Sequence, residues 1–250
     1  MSQLLAVFSI ILHFIGMSHF DFKQFRICHD RCAMKVGTDG VLLGAWAPID
    51  GAQRILDIGT GSGLVALMLA QRSNARIIGV ELDFDAASQA CENALASPFA
   101  SRIEIVNSDI LEYKSEELFD AIVSNPPFFK NALECPELGR SRARHTSSLP
   151  LNSLVDVAYA LLKEGGSFSV VLPSDVAQEF MGICITKHFT PVRITSVRTV
   201  PRKAPKRMLM SFKKGIHTTP LLRDELSLAN SDGLRSEQYQ ELTKDFYLDR

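Results

Sequence analysis

The sequence predicts an α/β protein built on a mainly parallel sheet covered by helices on both faces. Three observations carry this. Short β-branched runs alternate with helical periodicity between residues 54 and 213, glycine or proline clusters mark the switches, and the chemically unusual residues fall directly after strands. Alternating strands and helices imply parallel strands joined by crossover helices. In such sheets ligands bind at the carboxyl ends of the strands.

The elements follow in order. Residues 54–57 (RILD) read as a short buried strand, followed by Gly59-Thr60-Gly61-Ser62-Gly63 and a helix over 64–72. Residues 76–80 form a second strand ending at Glu81, 85–95 a helix, and 102–106 a third strand ending near Asp109. Residues 119–124 are a fourth strand that runs into Asn125-Pro126-Pro127-Phe128. A helix over 151–163 closes at Gly165-Gly166, and 167–172 is a fifth strand. Residues 192–200 and 208–213 read as a terminal strand pair around a loop rich in proline and basic residues, which brings the expected sheet to seven strands. Before these, residues 35–46 carry Thr38 or Asp39 as a helix N-cap ahead of an apolar helix.

Composition bounds the rest. With 250 residues, 46% apolar and 22% charged, the chain is of ordinary globular type. Its 27 Lys plus Arg nearly cancel 28 Asp plus Glu, so a polyanionic partner requires a local basic patch. Five scattered cysteines in a chain that can bury a core without cross-links suit the reduced thiols of a cytoplasmic protein. Cys28-His29-Asp30-Arg31-Cys32 has no second ligand pair, so no metal is expected. Residues 4–17 are shorter than the ~20 apolar residues of a membrane span and are interrupted by Ser9 and His13. They also lack the basic start and small-residue cleavage site of a secretory signal, so no membrane partner is expected. The expected layout is an extension over 1–19 with Met17 as the natural start, a main domain over 20–214, and a terminal extension over 215–250. That last stretch carries a short helical pattern around 239–246 and packs on the domain, and a monomer is expected.

The glycine loop follows a strand and opens a helix, where glycines permit a tight turn and close approach of a ligand. It lacks the Gly-Lys-Ser/Thr of a triphosphate loop, and its glycines are spaced two apart instead of in the dinucleotide G-x-G-x-x-G pattern. Asp57 ahead of the loop repels a pyrophosphate but can hold an ammonium group, which favours S-adenosylmethionine as cofactor. Glu81, with Leu82 beside it, ends the second strand, where a carboxylate can accept both ribose hydroxyl protons. Asp109 after the third strand can accept from an exocyclic amine, in competition with a capping role.

The tetrapeptide at 125–128 is the most informative feature. Two prolines cannot donate to a sheet ladder, so they end the strand and expose carbonyls. The Asn125 side-chain oxygen and the Pro126 carbonyl can each accept one N–H of a planar amine, while Phe128 stacks on its plane. Such an amine is a poor nucleophile because its lone pair is delocalised, and two acceptors can aim that lone pair at a sulfonium methyl. No strong general base is needed, and no His lies beside this motif; His145 reads as a solvent or partner-facing residue.

The glycine loop together with Asn125-Pro126-Pro127-Phe128 resembles the class I S-adenosylmethionine-dependent amino-methyltransferases. Phe22-Lys-Gln-Phe25 and the run 30–46 (DRCAMKVGTDGVLLGAW) narrow the resemblance to the bacterial valine-tRNA adenine-37-N6 methyltransferases, over about residues 20–212. The resemblance implies a Rossmann-like fold with an antiparallel terminal strand and methylation of the adenine beside the anticodon. It implies a cofactor site at Asp57, Gly59, Thr60, Gly61, Gly63, Glu81, Leu82, Asp109 and Asn125, and amine handling by Asn125, Pro126, Pro127 and Phe128. Many relatives have Tyr at the position of Phe128, so stacking is retained here without a phenolic hydrogen bond.

A tRNA anticodon stem-loop as substrate would need clustered cations. Arg140, Arg142 and Arg144 follow the tetrapeptide and can clamp phosphates flanking a flipped base. Arg202, Lys203, Lys206 and Arg207 lie in the loop between the last two strands. Competing acceptors share the chemistry: a release-factor glutamine amide, or guanine N2 of ribosomal RNA. The former enzymes usually carry a helical N-terminal domain, for which too few residues precede Arg54. DNA adenine is less favoured without a target-recognition domain, and a non-catalytic binding module would show degraded motifs.

Overall fold

The computed structural model describes residues 18–127 and 149–249. A hairpin of β1 (His19–Asp21) and β2 (Arg26–Cys28) precedes helix α1 (Thr38–Trp46). Then follow β3 (Arg54–Ile58), α2 (Leu64–Arg72), β4 (Arg76–Glu81), α3 (Phe84–Leu95), β5 (Ile103–Asn107) and β6 (Phe119–Ser124). The second half holds α4 (Leu151–Leu161), β7 (Leu162–Pro173), α5 (Ala177–Thr186), β8 (Phe189–Arg198), β9 (Arg207–Lys214), β10 (Leu222–Ser227) and α6 (Glu237–Thr243). The main sheet runs in the order β10-β8-β9-β7-β6-β3-β4-β5, and within it β9 alone is antiparallel to its neighbours.

Strand alternation divides the core into two layers. Ile55, Ile77, Val123, Val171 and Leu209 face one cluster, which contains α1 and α2. Their neighbours Leu56, Ile78, Ile122, Val170 and Met210 face the other, which contains α4 and α5. Helices α1 and α2 pack closely because Gly40 and Gly44 sit opposite Leu64 and Met68. A methyl group at Gly44 would stand 2.7 Å from the Met68 sulfur.

The sheet has eight strands, one more than the sequence pattern predicts. The added strand, β10, alternates mainly charged residues and buries only Leu226, so hydrophobic periodicity does not announce it. Its place is set by pairing with β8 and by the ion pairs Arg193–Asp224 and Arg198–Glu225. The helical pattern over 151–163 also overshoots. The fully buried Leu162 already pairs with Phe119, so Gly165 and Gly166 fall inside β7 instead of ending a helix. At α1 the N-cap is Gly37 with no side-chain cap, and Thr38 and Asp39 lie inside the first turn.

Candidate active site

The site assembles at the carboxyl ends of β3, β4 and β6. Asp57 and Glu81 share strand parity with Ile55 and Ile77, so both point toward the layer holding α1 and α2. Ser124, fully buried, pairs in register with Ile58 and donates its hydroxyl to the Ile58 carbonyl at 2.9 Å. The glycine loop and the Asn-Pro-Pro turn therefore leave adjacent strands at the same level, about 4.8 Å apart.

Gly59, Gly61 and Gly63 all have left-handed backbone, with φ of 70°, 57° and 81°. That conformation costs any residue with a Cβ about 1–2 kcal/mol. A Cβ on Gly59 or Gly61 would meet nothing within 4 Å, so the loop presents bare backbone to open space. Behind it, Asp57 is buried and accepts from Thr60 Oγ1 at 2.7 Å. Burial pushes its carboxyl up to about 7, against the opposing pull of the Thr60 hydroxyl and the Ala66 N–H. Thr60, also buried, thus closes the loop onto Asp57.

Glu81 is half-buried, and both carboxylate oxygens are fixed by backbone. One accepts from Gly61 N–H at 2.8 Å, the other from Asp83 N–H at 3.0 Å. Each oxygen keeps lone-pair capacity for a further donor, which suits the two hydroxyls of a ribose. Leu82 is 45% exposed next to it, an apolar surface at the same strand end. Asp109 is half-buried and spends Oδ1 on Leu111 N–H at 2.9 Å, so it does cap a turn. These features fit S-adenosylmethionine: a glycine cradle open to a ligand, a fixed carboxylate for the ribose, and a buried acid beneath the loop.

Asn125 is half-buried, Pro126 buried and Pro127 exposed. The Asn125 side chain faces α1, where a methyl group at Gly40 would stand 3.8 Å from its Nδ2. Phe128, Arg140, Arg142, Arg144 and His145 lie outside the described residues. Arg202, Lys203 and Lys206 are exposed on the loop after β8. Because β8 is parallel to β7 and β6, that loop lies on the same edge of the sheet as the glycine loop. Arg207 differs from the other three: its Nε donates to Asp39 Oδ2 at 2.7 Å.

Sequence reasoning passed over several residues that shape the site. Asn93, on α3, is buried; its amide accepts from Cys28 N–H at 2.9 Å and donates to the carbonyls of Cys28 and Ser62, both at 2.8 Å. Gln89, one turn earlier and equally buried, accepts from Arg31 N–H at 3.0 Å and donates to Asp30 at 2.7 Å. These two amides fasten the N-terminal segment to the glycine loop. Their signal was available: two polar residues stand on the buried face of α3 otherwise made of Ala86, Ala87, Ala90 and Ala94. Burial also pushes the Cys28 and Cys32 thiols up to about 11 and about 12, which keeps them protonated and weakly nucleophilic at neutral pH. A separate recess of about 390 Å³ lies on the opposite, amino-end edge of the sheet, with Lys163 paired to Asp120 at its rim.

The fold and the site define a class I S-adenosylmethionine-dependent methyltransferase. A family model described as the methyltransferase small domain matches residues 37–198. Among solved structures, a predicted O-methyltransferase from Agrobacterium tumefaciens shares the fold at TM-score 0.66 and 22% identity, covering 85% of this chain and 99% of that one. A 16S ribosomal RNA N2 G1207 methyltransferase from T. thermophilus, solved with AdoMet and guanosine, does so at TM-score 0.54 and 23% identity, covering 79% of this chain and 50% of that one. The relatives at higher identity carry one name. The tRNA1(Val) (adenine(37)-N6)-methyltransferase of Bacteroides thetaiotaomicron is 50% identical over 231 residues, 92% of this chain and 97% of the relative. That of Proteus mirabilis is 46% identical over 235 residues, covering 92% and 93%. The chain belongs to the tRNA1(Val) (adenine(37)-N6)-methyltransferase family. Among the described residues no helix is long and apolar enough to cross a membrane.

Proposed function

We propose that this protein transfers a methyl group from S-adenosylmethionine to the exocyclic N6 of adenine 37 in the anticodon loop of valine tRNA. The observation that carries the reading is the Ser124–Ile58 link, which sets an amine-holding turn beside a glycine loop at one level of the sheet. The relatives' names give the acceptor.

When bound, S-adenosylmethionine supplies a sulfonium methyl as the electrophile. Glu81 would hold the ribose, and the bare backbone of Gly59 and Gly61 would admit the amino-acid end. Asn125 Oδ1 and the Pro126 carbonyl each accept one N–H of the adenine amine, turning its lone pair toward the methyl group. Both acceptors stabilise positive charge as it develops on nitrogen, and a proton then leaves to solvent. Positioning and local dipoles supply the catalysis.

Adenine must leave its stack to reach this edge, so the flanking backbone needs cations. Arg202, Lys203 and Lys206 meet phosphates from the β8–β9 side, and Arg140, Arg142 and Arg144 lie 12 to 16 residues beyond Phe128 in sequence. The protein acts as a cytoplasmic monomer. In support, the edge strand β10 carries Arg223, Asp224 and Glu225, a charged edge of the kind that discourages strand pairing between copies.

The test is nucleoside mass spectrometry of tRNA from a strain lacking the gene, treated with purified protein and methyl-labelled cofactor. Label should appear as N6-methyladenosine in valine tRNA. Label confined to ribosomal RNA or to a release-factor glutamine would overturn the acceptor.

A further inference from the structure

Helix α1 borders the Asn125 turn and is fastened at both ends to the strands that carry the basic loop. At its far end, Trp46 Nε1 donates to Thr195 Oγ1 on β8 at 2.8 Å, and the Arg193 guanidinium lies 5.0 Å over the indole. At its near end, Asp39 accepts from Arg207, the first residue of β9, at 2.7 Å. The next residue of the helix, Gly40, is the one that faces Asn125. Arg207 pairs with Pro173 on β7, and β7 pairs with β6, so Arg207 stands two strand spacings across and two residues along from Asn125, on the order of 12 Å. Both partners of the pair are about a third exposed, at 38% and 34%. A pair so exposed contributes little to folding. Its geometric effect is larger, because it ties the root of the basic loop to the helix end that borders the amine-holding turn.

We infer that Asp39 and Arg207 form a positioning pair, which sets the distance between the loop that grips RNA phosphates and the turn that holds the target amine. The inference rests on the RNA reading above and removes Arg207 from the phosphate contacts.

The experiment compares Asp39→Asn, Arg207→Gln and the double variant with wild type, once wild type is shown to methylate valine tRNA. That control separates failure of the RNA reading from failure of the pair. Each single variant should lose kcat by roughly ten- to a hundredfold, the scale of a misplacement near 1 Å, with KM for tRNA within about threefold. The double variant should be no worse than the worse single one. In Arg207→Gln the salt dependence of tRNA binding should keep its slope, because the guanidinium is already neutralised by Asp39. Hydrogen exchange in loop 199–206, measured without RNA, should quicken in Asp39→Asn while the melting temperature hardly moves. A slope reduced by about one unit with kcat intact would make Arg207 a phosphate contact and overturn the pair. Additive losses, or unchanged loop exchange, would overturn it as well.

Discussion

The cofactor half of this site and the basic loop proposed to meet RNA are built in opposite ways. Around the glycine loop nearly every polar group is already engaged: Asp57 with Thr60, Glu81 with Gly61 and Asp83, and Asn93 with Cys28 and Ser62. On the β8–β9 loop, Arg202, Lys203 and Lys206 stand exposed, and Arg207 alone is tied inward. A rigid small ligand rewards a preformed cradle. A polyanion whose phosphates must be met in a bent loop rewards long side chains that adjust, at the cost of salt sensitivity.

The difference can be broken from either side. The largest effect on the cofactor half is expected from Glu81→Ala. A hydrogen bond to a charged group is worth about 1.5–3 kcal/mol, so cofactor affinity by calorimetry should fall about 10- to 100-fold. The basic loop should respond differently. Replacing Arg202, Lys203 and Lys206 together should flatten log K against log salt by up to about 2–3 units, at ~0.7–0.9 per phosphate contact, with cofactor affinity unchanged. Equal affinities at several salt concentrations would remove the loop from the interface.

Asp57 gives a pH test confined to the cofactor half. Its folded carboxyl titrates at about 7 against an ordinary value of 3.8, so between these the unfolded chain binds fewer protons than the folded one. Stability of the ligand-free protein should therefore fall as pH rises from about 4 to about 7, and Asp57→Asn should flatten that slope. If the carboxylate also serves the cofactor's ammonium, wild-type affinity rises with pH through about 7 and the variant's does not. The smallest effect is expected from Ser124→Ala. It leaves the Ile58 carbonyl without its side-chain donor and should cost about 1 kcal/mol in denaturant unfolding, with a modest loss of turnover.

Much of this was legible in sequence for a physical reason. Short continuous apolar runs write β3, β4 and β6 plainly because both their faces are buried, and chemistry at carboxyl ends follows from parallel topology. What escaped was held by pairing and polar contact instead of burial. Strand β10 is such a case, with one buried leucine among charges, as is the N-terminal segment, where Asn93 holds Cys28 of β2 and Gln89 holds Arg31 beyond it. Asp39 read as a helix cap because its residue type suits one. Its partner is 168 positions away, beyond the reach of local pattern.

One variant, measured for cofactor binding and for methyl transfer together, isolates the amine-holding turn. Asn125→Ala should bind S-adenosylmethionine within about threefold of wild type. Its single-turnover methylation of valine tRNA should fall by roughly 10²–10³-fold, the range for losing one preorganised polar contact at the reacting group. Near wild-type turnover would contradict an amine-holding role for Asn125, and so would a loss of activity that tracks a matching loss of cofactor affinity.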